Sequence, residues 1–182
     1  MSNLEKNVKN ILSQPNIKEA KLYEKHSDGK VKCILCERRC IIGDKEKGFC
    51  KTRININGKL YTLVYGDLSA VESRPIEIKP FFHYWVGSTA LTFSTWSCNF
   101  TCPWCQNHHL SKANPNPLNP NYYPPEKIVD LALKLGDEGL CASFQEPTLL
   151  TEWCLDAFKL GSSKGLYCCC LLYTSPSPRD RG

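Results

Sequence analysis

Seven of the twelve cysteines in this 182-residue chain fall in two tight groups, and no other feature limits the fold as strongly. Cys33, Cys36, Cys40 and Cys50 lie within "CILCERRCIIGDKEKGFC". Cys98, Cys102 and Cys105 lie within "STWSCNFTCPWCQNHH", in a C-x3-C-x2-C pattern. Thiols crowded in this way either cross-link or hold metal, and the redox compartment decides between the two. The N-terminus, "MSNLEKNVKNILSQ", mixes charges into its apolar pattern and has no signal-peptide core. No run of about 18 apolar residues is present, so no spanning helix is expected. A cytoplasmic chain is the expectation, and with it metal binding rather than disulfides.

The first group predicts a small β module. Ile54 and Ile56 alternate with polar residues, Asn57-Gly58 is a strong type I′ turn signal, and Lys59 to Tyr65 reads as the return strand. A helix precedes it over residues 2–13, with Ser2 and Glu5 as a capping box, Leu4, Val8, Ile11 and Leu12 on one face, and Pro15 as its end. A unit this small rarely folds by burial alone, so a metal would substitute for missing core. Residues 1–65 are therefore read as an N-terminal helix and Cys-rich metal-binding β module. Four thiolates suit zinc or a second iron–sulfur cluster, with a structural role preferred over a redox one.

Residues 66–89 read as a connector. The aromatics and His83 of "FFHYW" are expected to pack against the next domain. From residue 90 the pattern alternates. Ala90–Trp96 is a predicted strand. Pro125 opens a helix with Ile128, Leu131, Ala132 and Leu135 inward and Gly136 as stop. Leu140–Phe144 is a second strand. Leu150–Leu160 is a second helix, with Leu150, Trp153, Cys154, Ala157 and Phe158 inward and Gly161 ending it. "GLYCCCLLY" is a third strand. Alternation of this kind implies parallel strands joined by helical crossovers, with chemistry at the C-terminal ends of the strands. The loops 98–111 and 145–149 both fall there. Cys168, Cys169 and Cys170 point alternately to opposite faces of a strand and cannot converge on one metal.

Three thiolates leave a four-iron cluster with one open iron, whereas zinc at the same loop needs a fourth ligand from His108, His109 or Cys141. "CNFTCPWCQN", with Trp104 just before the third cysteine, resembles the cluster loop of radical S-adenosylmethionine (SAM) enzymes. Together with "CILCERRC", "GFCKTRININGKLYTLVYG", "PIEIKPFFHYWVGS" and "FQEPT", it makes residues 20–165 similar to the radical SAM member of the AmmeMemoRadiSam system, a relative of pyruvate formate-lyase activating enzymes. The resemblance implies an α/β fold: a partial radical SAM (β/α) barrel over residues 90–169, preceded by the small Cys-rich β module. It implies a [4Fe-4S] cluster on Cys98, Cys102 and Cys105, with SAM cleaved reductively to a 5′-deoxyadenosyl radical that takes hydrogen from a protein or small-molecule substrate. It places Trp104 near the adenine of SAM and Glu146 near its amino group. Related enzymes carry two glycines where this chain has Phe144-Gln145, and from the residues alone Glu146 also reads as a helix N-terminal charge. An electron donor such as ferredoxin or flavodoxin, and Memo-type and AMMECR-type proteins, are the implied partners. No role is assigned to Gln106 and Asn107.

The last stretch, "CCLLYTSPSPRDRG", departs from the family pattern, so the chain is expected to be truncated, with a non-native tail over 170–182. The alternative function is a zinc-binding nucleic-acid module without catalysis. The first 60 residues hold 14 Lys/Arg against 7 Asp/Glu, and the remainder 9 against 11. That asymmetry permits nucleic-acid binding, but the β/α alternation argues against it.

Overall fold

The structure, a computed structural model, describes residues 3–172. Ser2, the expected cap of the box with Glu5, and the tail beyond Leu172 lie outside the described residues.

The N-terminal module begins with α1 (Asn3–Leu12) and holds two three-stranded sheets. One sheet orders β1 (Lys18–Glu19), β6 (Lys59–Thr62) and β5 (Arg53–Ile56); the other orders β2 (Tyr23–Lys25), β3 (Val31–Cys33) and β4 (Ile41–Ile42), and all pairs are antiparallel. Asn57 and Gly58 both take positive φ, 53° and 74°, as the I′ turn between β5 and β6 demands. Val8 and Ile11 of α1 pack on Ile54, Ile56 and Leu63, while Leu12 is exposed rather than on that face. Alternation predicts one wet face for β5, yet all four of its residues are buried. Its polar face is used from within. Asn55 donates from Nδ2 to the carbonyls of Gly29 and Ile42, each at 2.9 Å, and Arg53 reaches into the next unit.

The second unit is a four-stranded sheet in the order β10 (Tyr167–Cys170), β9 (Gly139–Ala142), β8 (Thr89–Ser94), β7 (Ala70–Pro75). β8, β9 and β10 are parallel, as the β/α alternation predicts, and β7 runs antiparallel against β8. Residues 66–89 are thus more than a connector, since β7 closes one edge of the sheet. Its residues, "AVESRP", lack the alternation that would have marked a strand.

α3 (Pro125–Leu135) and α4 (Thr151–Ser163) cover one face. Leu91, Phe93, Leu140 and Ala142 point toward them and meet Ile128, Val129, Ala132, Trp153 and Ala157. Phe93 and Trp153 stack edge to face with centroids 5.0 Å apart, and each large side chain so buried contributes about 1.5–3 kcal/mol. Pro125 opens α3 and Gly136, at φ 77°, caps it, as expected. Val129 takes the inward place expected of Leu135, which is exposed. Gly161 does not end α4. It lies inside the helix, where a Cβ would come within 2.7 Å of Leu140, so its role is close approach to the sheet. On β10, Cys168 and Cys170 join the helix-side core and Cys169 the opposite layer, as period-two geometry requires.

Candidate functional site

The three-cysteine loop leaves the C-terminal end of β8 and returns through the single-turn helix α2 (His108–Ser111). Ser97 turns the chain at φ 71°, and its N–H donates to the Leu110 carbonyl at 3.0 Å, closing the loop at its base. Cys98, Cys102 and Cys105 are each half-buried free thiols. The Cys98 sulfur accepts backbone N–H groups from Phe100, at 3.4 Å, and from Glu146. Burial raises the Cys98 thiol pKa, and these N–H groups oppose the shift. Cys105 Sγ lies 3.2 Å from Ser111 Oγ. Among the described residues no three His, Cys, Asp or Glu side chains converge on a single metal ion. Cys141, a candidate fourth zinc ligand, belongs to the opposite layer of the sheet beside Cys169.

The loop after β9 comes to meet it. Glu146 is 3% exposed, and its charge pushes the Cys98 thiol pKa up. It begins the short 3-10 turn Pro147–Leu150, but its side chain makes no capping hydrogen bond; its Oε1 accepts from Thr148 Oγ1. Phe144 holds φ 75°, a conformation that costs an L-residue about 1–2 kcal/mol. Asn107, assigned no role from sequence, donates from Nδ2 to the Phe144 carbonyl and ties the two rim loops together.

Lys79 was also missed. It is 4% exposed, with its ammonium 5.0 Å from the centre of the Phe144 ring, and burial lowers its pKa. A lysine among "PIEIKPFF" carries no sequence mark of burial. Trp104 is 83% exposed at the tip of the cysteine loop. His83, expected to be packed, is exposed with Phe82, Tyr84 and Trp85, while Phe81 packs under the sheet.

Cys33, Cys36, Cys40 and Cys50 line one small cavity in the N-terminal module. Burial pushes the Cys33 thiol up to about 11. The module and the rim are joined directly. Ser97 Oγ donates to the Cys50 carbonyl at 2.7 Å, and Arg38 Nε donates to the Asn99 carbonyl. Behind them Arg53 and Glu152, each 1% exposed, form an ion pair at 2.7 Å between β5 and α4. Among the described residues no helix is long and apolar enough to cross a membrane.

No protein-family model matches the chain, and no solved structure does. An uncharacterized protein of Methanocaldococcus jannaschii, MJ0808, is 36% identical over 151 residues, 83% of this chain. The chain spans 45% of that protein's length.

Proposed function

We propose that this chain is part of a radical SAM enzyme, with the partial (β/α) barrel beginning at β8. One observation carries the reading: a three-thiol loop at the C-terminal end of a parallel strand, with a buried carboxylate from the next strand's end beside its first cysteine. The donor set suits a four-iron cluster. It offers three soft sulfurs on one loop, and backbone N–H groups already point at the Cys98 sulfur, the kind of hydrogen bond that stabilises a bound thiolate and tunes its cluster. Cys98, Cys102 and Cys105 are the residues that hold it. A cluster held there would supply the one electron that splits the sulfonium of SAM into methionine and a 5′-deoxyadenosyl radical.

The chain's own residues prepare the site. Glu146 offers a carboxylate to the amino group of SAM, and its burial strengthens that charge-assisted contact. Thr148 orients the carboxylate by donating to Oε1. Asn107 fixes the distance between the rim loops, and Ser111 steadies Cys105. Ser97, Asn99, Ser143 and Gln145 are all buried along this rim and exclude bulk water while keeping it polar. A one-electron carrier of ferredoxin or flavodoxin type supplies the reducing equivalent, the setting is the cytoplasm, and Memo-type and AMMECR-type proteins are the proposed partners.

The test is anaerobic reconstitution with iron and sulfide, followed by dithionite reduction in the presence of SAM. Electron paramagnetic resonance should show a reduced four-iron signal that SAM alters, and the reduced protein should release 5′-deoxyadenosine from SAM. Reconstituted wild-type protein whose cluster signal ignores SAM sinks the reading.

A further inference from the structure

The four N-terminal cysteines surround a space of their own. Cys33, Cys36, Cys40 and Cys50 line a cavity of about 10 Å³ together with Arg38, Arg39 and Arg53. That volume is roughly one water-sized sphere. It accommodates a single ion.

Arg53 supplies the second observation. Its Nη2 donates to Glu152 Oε2 at 2.7 Å and to the Leu149 carbonyl at 3.0 Å. Its Nε and Nη1 are buried and find no acceptor among the described residues. Two unmatched guanidinium nitrogens in a dry site are costly, and native structures rarely tolerate them. Arg53 lines the cysteine cavity and senses the sulfurs of Cys33 and Cys50. Thiolate sulfur is the acceptor these hydrogens lack.

Charge points the same way. Three arginines are among the residues around a pocket whose four thiols, when protonated, carry no charge; Glu152 pairs with Arg53 and Glu37 with Arg39. Four thiolates around a divalent cation carry a net charge of −2, which suits donation from the unmatched Arg53 nitrogens. Tetrahedral sulfur ligation of one divalent ion is the chemistry of structural zinc.

We propose that Cys33, Cys36, Cys40 and Cys50 form a tetrathiolate site for one zinc ion, with Arg53 as a positioning residue that donates Nε–H and Nη1–H to its sulfurs. As the structure stands no three of these side chains converge on one point, so binding draws the sulfurs inward. Cys33 and Cys50 are buried, and Cys36 and Cys40 are half-buried on the 34–40 loop, whose far end is held by the bond from the Cys33 N–H to the Cys40 carbonyl. The site is independent of the reading given to the Cys98 loop.

The experiment removes that loop from consideration. In the chain carrying Cys98→Ala, Cys102→Ala and Cys105→Ala, elemental analysis should return one zinc per chain. Adding Cys36→Ala and Cys40→Ala should abolish it. Cobalt exchanged into the triple variant should give sulfur-to-metal charge transfer and tetrahedral d–d bands, which reads the ligand set even if the five-fold variant fails to fold. Arg53→Met combined with Glu152→Met should weaken zinc about 10- to 100-fold in chelator competition, the range for lost second-layer partners, while Arg53→Lys should recover part of the affinity. A folded triple variant without zinc, iron and sulfide in its place, or cobalt bands without thiolate character would overturn the proposal.

Discussion

Glu152→Ala is the substitution whose cost the structure fixes best. The carboxylate accepts from Arg53 Nη2 at 2.7 Å through Oε2 and from the Lys21 backbone N–H at 3.1 Å through Oε1. Truncation leaves the Arg53 charge 1% exposed, with the Leu149 carbonyl still accepting from Nη2. Breaking a buried pair from one side costs about 3–5 kcal/mol. With a denaturant slope of about 2 kcal/mol per molar, a loss of about 4 kcal/mol moves the urea midpoint down by about 2 M. Trp153, the next residue and fully buried, reports the transition by fluorescence. The pH dependence checks the cause. Burial alone would raise the Glu152 pKa, but Arg53's charge and hydrogen bonds outweigh burial and hold it below its ordinary value of 4.5. A carboxyl depressed in the fold contributes stability that is complete above the unfolded value and is lost as pH falls through the folded one. The stability gap between wild type and Glu152→Gln should therefore be constant near neutrality and close below about 4.5. A midpoint shift under about 0.5 M for Glu152→Ala, or a gap insensitive to acid, would refute the argument.

Three further outcomes follow from the geometry. Gly139→Ala places a Cβ 2.0 Å from the Tyr167 ring between β9 and β10, and should cost about 1–3 kcal/mol in thermal or urea unfolding, with Tyr167→Leu restoring much of the loss. Asn107→Ala removes the bond to the Phe144 carbonyl; stability should fall by about 0.5–1.5 kcal/mol, and iron retention on gel filtration should fall with it. Glu146→Gln should leave iron content unchanged yet weaken SAM binding about 10- to 100-fold by calorimetry, the worth of a charge-assisted hydrogen bond.

Much of the second unit was legible because its signals are local. Pro125 and Gly136 bracket α3, and the apolar runs of β8 and β9 are of a length and composition that suit buried parallel strands. What escaped depended on partners distant in sequence. β7 is a strand because β8 pairs with it, and nothing in "AVESRP" announces that. Gly161 reads as a stop until Leu140 is found pressing on it. Arg53 looks like a solvated residue of a half-exposed hairpin, and only Glu152, 99 residues on, explains its burial. The cysteine spacing named the candidate ligands. Asn107, Lys79 and the positive φ of Phe144 entered with the fold, since a side-chain-to-carbonyl bond and a backbone angle leave no periodic trace.

The pair of bonds from residues 97 and 99 to Cys50 and Arg38 has a thermodynamic corollary. Whatever rigidifies one cysteine group reduces the ordering cost of occupying its neighbour, and linkage makes that help mutual. If both groups take up metal, loading one lowers the ordering cost of loading the other, which the Cys98, Cys102 and Cys105 variant would show as a lower zinc affinity with unchanged zinc stoichiometry.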